Sequence, residues 1–262
     1  MIPDFGFTRL RDCRYGRMLY NVNDVYIGRS LDRYGEYCEH EVELFRQVIR
    51  EGDVVFDAGA NIGAHTVFFA RATGPKGLVF AFEPQRLIYQ MLCANVALNE
   101  FLHVFALNVA LGESPAAIRI PVLDPRKENN FGGIALTDHP RGEPVNVIRL
   151  DSIGVPGCRL IKIDVEGMEL AVLKGADGLI RRFQPALYVE NDRADRSDDL
   201  IRHVASLGYD LYWHRTPLFN PKNFLNNPQN VFGDTITQNM FCVPRSWGAR
   251  MQHFEPVQVP PM

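Results

Sequence analysis

Residues 52–70 read GDVVFDAGANIGAHTVFFA. The run DVVFDA (53–58) has the continuous apolar character of a strand buried on both faces. Asp57-Ala58-Gly59-Ala60-Asn61-Ile62-Gly63 then forms a glycine-punctuated turn, and 64–72 is helical. Glycine permits a sharp turn and lets a ligand approach the backbone with no Cβ in the way. In open α/β sheets, ligands bind outside the carboxyl ends of the strands, where this loop lies.

The pattern repeats outward from this unit. LVFAFE (78–83) reads as a second strand, and Pro84 opens a helix whose Ile88, Met91, Leu92 and Val96 share one face. Residues 103–109, RLIKID (159–164) and ALYVE (186–190) read as further strands, with helices over 167–182 and 196–206. Residues 209–214 and 239–244 close the series. Upstream, GEYCEHEVELFRQVIREGD (35–53) reads as a covering helix, with Val42, Phe45 and Ile49 on one face, and 1–35 as short β pieces. Strands alternating with helices mean right-handed crossovers and a mostly parallel sheet covered on both faces. The expected organisation is an N-terminal region (1–50), a main α/β domain (51–250) and a tail (251–262). Irregular insertions at 112–146 and 215–239 are longer than connections require and read as substrate-facing loops.

Composition narrows the function class. The 262 residues are 46% apolar, enough for a sizeable core, and carry 28 basic against 31 acidic side chains. A net charge of −3 gives no field for nucleic acid or an anionic membrane. No run of about 18 apolar residues is present, so no membrane span is expected. The first residues lack the apolar stretch of an export signal. Five scattered cysteines without a C-x-x-C pair argue against a disulfide framework or a zinc site and favour a reducing, cytoplasmic location.

The chemistry-bearing signal is the loop together with Glu83, which ends the second strand and is placed to accept both hydroxyls of a ribose. A dinucleotide would want G-x-G-x-x-G with its pyrophosphate on the helix N-terminus. Here the spacing is G-x-x-x-G, and Asp57 suits a phosphate badly. S-adenosylmethionine carries no phosphate but does carry an ammonium and a sulfonium, which an acid suits.

These residues, with FAFEP, ANVALNE, NVALGE, NNFGGIAL, LIKIDVEGMELAVLKGA, ALYVENDR, GYDLYWHR and NPKNF…NPQNVFG, resemble the FkbM-type S-adenosylmethionine-dependent methyltransferases over about 28–244. The resemblance implies a class I methyltransferase fold: a Rossmann-like three-layer α/β sandwich whose seven-stranded, mostly parallel sheet has an antiparallel last strand. It implies that Asp57, Gly59, Asn61, Gly63, Glu83 and Asn108 hold the cofactor. It also implies a small-molecule or carbohydrate-like acceptor: a sugar, a glycolipid or a natural product. O-methylation of a hydroxyl is the leading expectation. N-methylation of an amine or peptide group, and a non-catalytic cofactor-binding scaffold, are the alternatives.

On the acceptor side, Asp164 and Glu190-Asn191 end neighbouring strands, and Glu166 follows the first of them. Asp164, Glu190 and Asn191 form an all-oxygen set of the kind Mg²⁺ or Ca²⁺ prefer, in a layout that resembles catechol-type O-methyltransferases. Direct contact of these groups to the acceptor is the preferred reading, and metal ligands are left unassigned. Taking a proton from an alcohol needs a base. Asp164, Glu166, Glu190 and His214 are the catalytic candidates. Asn130, beside a double glycine, and Asn191 and Trp213 are the substrate-binding candidates. His65 reads as structural or as a wall of the cofactor pocket, and Glu36 as a helix-flanking acid.

Overall fold

The computed structural model describes residues 6–134, 139 and 141–261; part of the NNFGGIAL block and of the 112–146 insertion lies outside them. The chain opens with a hairpin, β1 (Thr8–Cys13) and β2 (Gly16–Asn21), paired antiparallel. Helices α1 (Ile27–Tyr34) and α2 (Glu39–Val48) follow. The first of these corrects the reading of 1–35 as β pieces alone. Asp24 accepts the N–H groups of Tyr26 (3.1 Å) and Gly28 (3.0 Å), satisfying amides that a helix start leaves open.

The βα series comprises β3 (Val54–Ala58), α3 (Ala64–Thr73), β4 (Leu78–Phe82), α4 (Arg86–Leu98) and β5 (Val104–Leu107). Next come β6 (Ala110–Leu111), β7 (Ala116–Ile120) and β8 (Glu143–Ile148), which form a separate sheet in the order β6-β8-β7. The series resumes with β9 (Leu160–Ile163), α5 (Glu169–Gly175), α6 (Asp177–Phe183), β10 (Ala186–Glu190) and α7 (Ala194–Ser206). It ends with β11 (Tyr209–Pro217), β12 (Ile236–Pro244) and β13 (Glu255–Pro256). The helix expected over 167–182 is broken in two at Ala176. The Asp151 carboxylate accepts the N–H groups of Gly178 (3.2 Å) and Leu179 (2.8 Å) from outside and starts α6 afresh.

The main sheet runs β13-β11-β12-β10-β9-β3-β4-β5. Strands β5, β4, β3, β9 and β10 are parallel, and β12 is antiparallel to both of its neighbours, β10 and β11. This is the class I methyltransferase arrangement, with one correction: β13, in the stretch read as a tail, adds an eighth strand at the edge.

Alternation along each strand builds two cores. Phe56, Ile161, Ile163, Leu187 and Val189 face α5, α6 and α7, while Val55, Leu160 and Tyr188 face α2 and α3. Each fully buried aromatic or branched side chain contributes about 2 kcal/mol. Parity also decides where charged residues point. Asp57 and Lys162 lie directly opposite each other on β3 and β9, on the α2–α3 side.

Two connections fold back over the carboxyl ends of the strands. Asn129 pairs with Asp24, and the Phe131 carbonyl accepts Gln85 Nε2 at 2.7 Å, so the loop carrying Asn130 is stitched to both the N-terminal region and α4. The β11–β12 connection packs Leu218 and Phe232 on Tyr34 of α1.

Candidate active site

A cavity of about 370 Å³ opens at the carboxyl ends of β3, β4, β9 and β10. Gly59 adopts φ +76°, and a Cβ there would lie 1.7 Å from the Asp164 carbonyl oxygen. The glycine is therefore demanded by the close approach of two chain segments as well as by the turn. Gly63, at φ +87° where α3 begins, is packed against Leu92 and does not line the cavity. Asn61 takes a left-handed conformation (φ +49°), which asparagine tolerates, and its Oδ1 accepts the Ile62 N–H. That conformation aims the Asn61 N–H at Glu83 Oε2 (3.0 Å), while the Gln85 N–H donates to Oε1 (2.8 Å). Each carboxylate oxygen thus uses one lone pair on the backbone and keeps another. Burial pushes the Glu83 carboxyl up to about 7 against the pull of these amides. Asn108 donates to the carbonyls of Glu83 (2.9 Å) and Pro84 (3.0 Å). It braces the turn that presents Glu83 and does not line the cavity.

Asp57 calls for a correction. It is fully buried and bound to the Thr66 hydroxyl at 2.6 Å and to Lys162 Nζ at 3.4 Å, below the cavity rather than in it. Lys162 does line the cavity, with the Gly59 carbonyl at 3.3 Å and Asp164 Oδ2 at 3.2 Å. Burial alone would lower its ammonium, but Asp164, Asp57 and Glu41 outweigh that and hold it above its ordinary value.

Asp164, Glu166 and Glu190 converge, each offering an oxygen within 4.8 Å of the others. Arg193 Nη2 lies 2.7 Å from Glu166 Oε2. Burial, with Asp164 adding to it, pushes Glu166 up to about 7. Burial and the same crowd of acids hold Glu190 far above the carboxylate range. Two of the three acids already have a cation beside them. Asn191, the third member of the expected metal set, is buried, does not line the cavity, and donates its Nδ2 to Met240 Sδ at 3.3 Å. With two of the three acids paired to cations, the cluster fits a divalent ion poorly.

Of the remaining expected residues, Asn130 lines the cavity, its Oδ1 held by the N–H groups of Gly132 and Gly133. His214 is drawn away: its Nδ1 meets the Tyr188 hydroxyl at 2.9 Å, its ring packs on Phe254, and burial lowers it to about 4. Trp213 lies under the Arg215 guanidinium, 4.5 Å from its ring centroid, and is likewise not a wall of the cavity.

The FkbM methyltransferase domain model matches residues 57–211, more than half of the chain. The chain belongs to the FkbM methyltransferase family. Among relatives, methyltransferase sdnD of Sordaria araneosa is 30% identical over 163 residues, covering 47% of this chain and 60% of that protein. Hexuronic acid methyltransferase AglP of Haloferax volcanii is 31% identical over 157 residues, covering 57% and 59%. The 31-O-demethyl-FK506 methyltransferase FkbM of Streptomyces tacrolimicus is 28% identical over 216 residues, covering 70% and 80%. The chain therefore spans about three fifths of the length of the first two relatives.

In this FkbM-family chain, sequence reasoning passed over several cavity residues: Tyr37 just before α2, Glu41 in its first turn, Lys162, and Thr237, Gln238 and Asn239 of β12. His65 is a wall of the cavity. A lysine inside the otherwise apolar strand LIKI, beside a strand that carries Asp57, was a readable signal, since charges are almost never fully buried unpaired. Glu41 had no such signal; it lies on an ordinary charged helix start. Glu36, five residues earlier, is a structural joint that accepts from Arg14, Asn220 and the Phe224 N–H.

Proposed function

We propose that this chain is an S-adenosylmethionine-dependent O-methyltransferase acting on a neutral, hydroxyl-rich acceptor. The observation that carries the reading is Glu83, whose carboxylate is fixed by two backbone amides with one lone pair per oxygen left for a ribose diol. Charge supports the same donor. Among the described residues the cavity is lined, besides the protonated Glu190, by Glu41, Glu83, Asp164, Glu166 and Asp192 against one ammonium, Lys162. Such a lining attracts a sulfonium and repels a pyrophosphate.

When bound, S-adenosylmethionine supplies a methyl group already activated by its sulfonium. The chain's own residues then have two tasks: to hold the acceptor hydroxyl in line, within about 3–3.5 Å of the methyl carbon, and to take its proton. Glu166, lifted toward neutrality, is matched to the second task, because a base works best with a pKa near the working pH. Glu190 stays protonated and donates a hydrogen bond to an acceptor oxygen. Asn130, Thr237 and Gln238 supply further polar contacts to hydroxyls. The same acids disfavour a carboxylate-bearing acceptor, in contrast to the substrate in AglP's name.

Incubation with methyl-labelled S-adenosylmethionine and a mixture of monosaccharides, glycosides and polyols tests the reading. Label should appear as a methyl ether, and Glu166→Gln should slow its appearance about 100-fold. Label found only in N-methyl products, when amines are added to the mixture, would overturn O-methylation.

A further inference from the structure

Besides its sulfonium, the proposed donor carries an α-ammonium on its amino-acid end. The inference drawn here rests on the donor reading above and concerns which carboxylate meets that second cation. Asp57 is shut beneath the cavity. Glu83 is committed to two backbone amides, Asp164 to Lys162, and Glu166 and Asp192 to Arg193. Glu190 is crowded by other acids.

Glu41 is different. It lines the cavity from the first turn of α2 while only 4% exposed. Its direct partners are uncharged. Asn239 Nδ2 donates to Oε1 at 3.0 Å, and the hydroxyls of Thr237 and Tyr188 reach the same carboxyl. His65 Nε2 lies 3.6 Å from Oε2, too far for a hydrogen bond, and has no hydrogen-bond partner of its own. That ring is 6% exposed, and burial with Lys162 nearby holds it below its ordinary value, hence neutral. Glu41 is thus a carboxyl more than nine-tenths buried, facing a ligand cavity, with no lysine or arginine in ion-pair range among the described residues. Lys162, paired with Asp57 and Asp164, acts on it only from beyond that range, and burial pushes the carboxyl up to about 7; keeping it ionised calls for a closer cation. Its neighbour His65 opens α3, directly after the loop 59–63, which places the compensating cation on the donor side.

We propose that Glu41, held by Asn239, receives the α-ammonium of S-adenosylmethionine. In this arrangement Asp57 is a structural partner of Lys162, and the covering helix α2 supplies the cation site. The N-terminal region is then part of the donor pocket, contributing a charge that the βα loop does not present.

Calorimetry with two ligands tests this: S-adenosylhomocysteine and its analogue in which hydrogen replaces the α-amino group. The unmutated protein should bind the analogue about 30-fold more weakly. Glu41→Gln should bring the two ligands within about threefold of each other by weakening S-adenosylhomocysteine alone, and Glu41→Asp should keep part of the discrimination. The ratio of two ligands on one protein does not depend on the fraction folded, so a destabilised variant still reports. Discrimination unchanged in Glu41→Gln, or equal binding of both ligands by the unmutated protein, would overturn the role of Glu41 and leave the donor site standing. Failure of the unmutated protein to bind either ligand would overturn the donor reading itself.

Discussion

At one end of the cavity Glu83 is held by the backbone amides of Asn61 and Gln85. At the other end Asp164 and Glu166 are held by the side chains of Lys162 and Arg193, and Glu190 by the acids around it. The first end is built from strand ends and one left-handed asparagine, so its geometry follows from the βα turn and tolerates little variation. The second is built from charged side chains at the ends of β9 and β10 and on the loops that follow them, so its shape and protonation depend on what occupies it. On the proposed reading this division places the donor at the rigid, main-chain end and the acceptor at the end of adjustable charge.

The comparison breaks most visibly at Glu83. Glu83→Ala removes the acceptor of two buried amides along with the proposed ribose contact. It should weaken S-adenosylhomocysteine binding about 100-fold by calorimetry, or about 3 kcal/mol. An effect under threefold would mean that the backbone-held end is not the donor end.

Glu190→Gln tests the other end through pH. The folded-state pKa of Glu190 lies above that of the unfolded chain, so its contribution to stability is fully present below the ordinary carboxylate range and is lost as pH rises through the folded value. The variant should therefore unfold at a temperature about 2–5 °C higher than the unmutated protein at pH 8.5. That gap should close by about pH 4. A gap that is constant with pH would show that Glu190 is not held protonated by its neighbours.

The smallest effect is expected outside both ends. His214→Phe removes one of the two partners of the Tyr188 hydroxyl and should cost about 1 kcal/mol in chemical unfolding. Binding of S-adenosylhomocysteine should stay within about twofold, since the side chain does not line the cavity.

These contrasts also mark what the sequence could carry. The buried run DVVFDA, the glycine loop and the acid ending the next strand are local patterns, and each placed its element correctly. The inward turn of Asp57 depends on strand parity: Val55 and Asp57 share the face that meets α2 and α3, and register then sets Asp57 against Lys162. A charged residue in each of two neighbouring apolar strands was the available clue. Four features had no local signature because distant chain creates them. Asp151 caps α6 from a turn about 25 residues upstream. Tyr188 draws His214 away from the cavity, and Met240 takes the amide of Asn191. Glu41 is buried by β10 and β12 from far along the chain, and its position in the cavity was visible only in three dimensions.

The most direct test of the central claim is a calorimetric titration of the unmutated protein with S-adenosylhomocysteine. One site per chain, weakened about 100-fold in Glu83→Ala, is the expected result. Absence of binding, or binding that Glu83→Ala leaves intact, would contradict it.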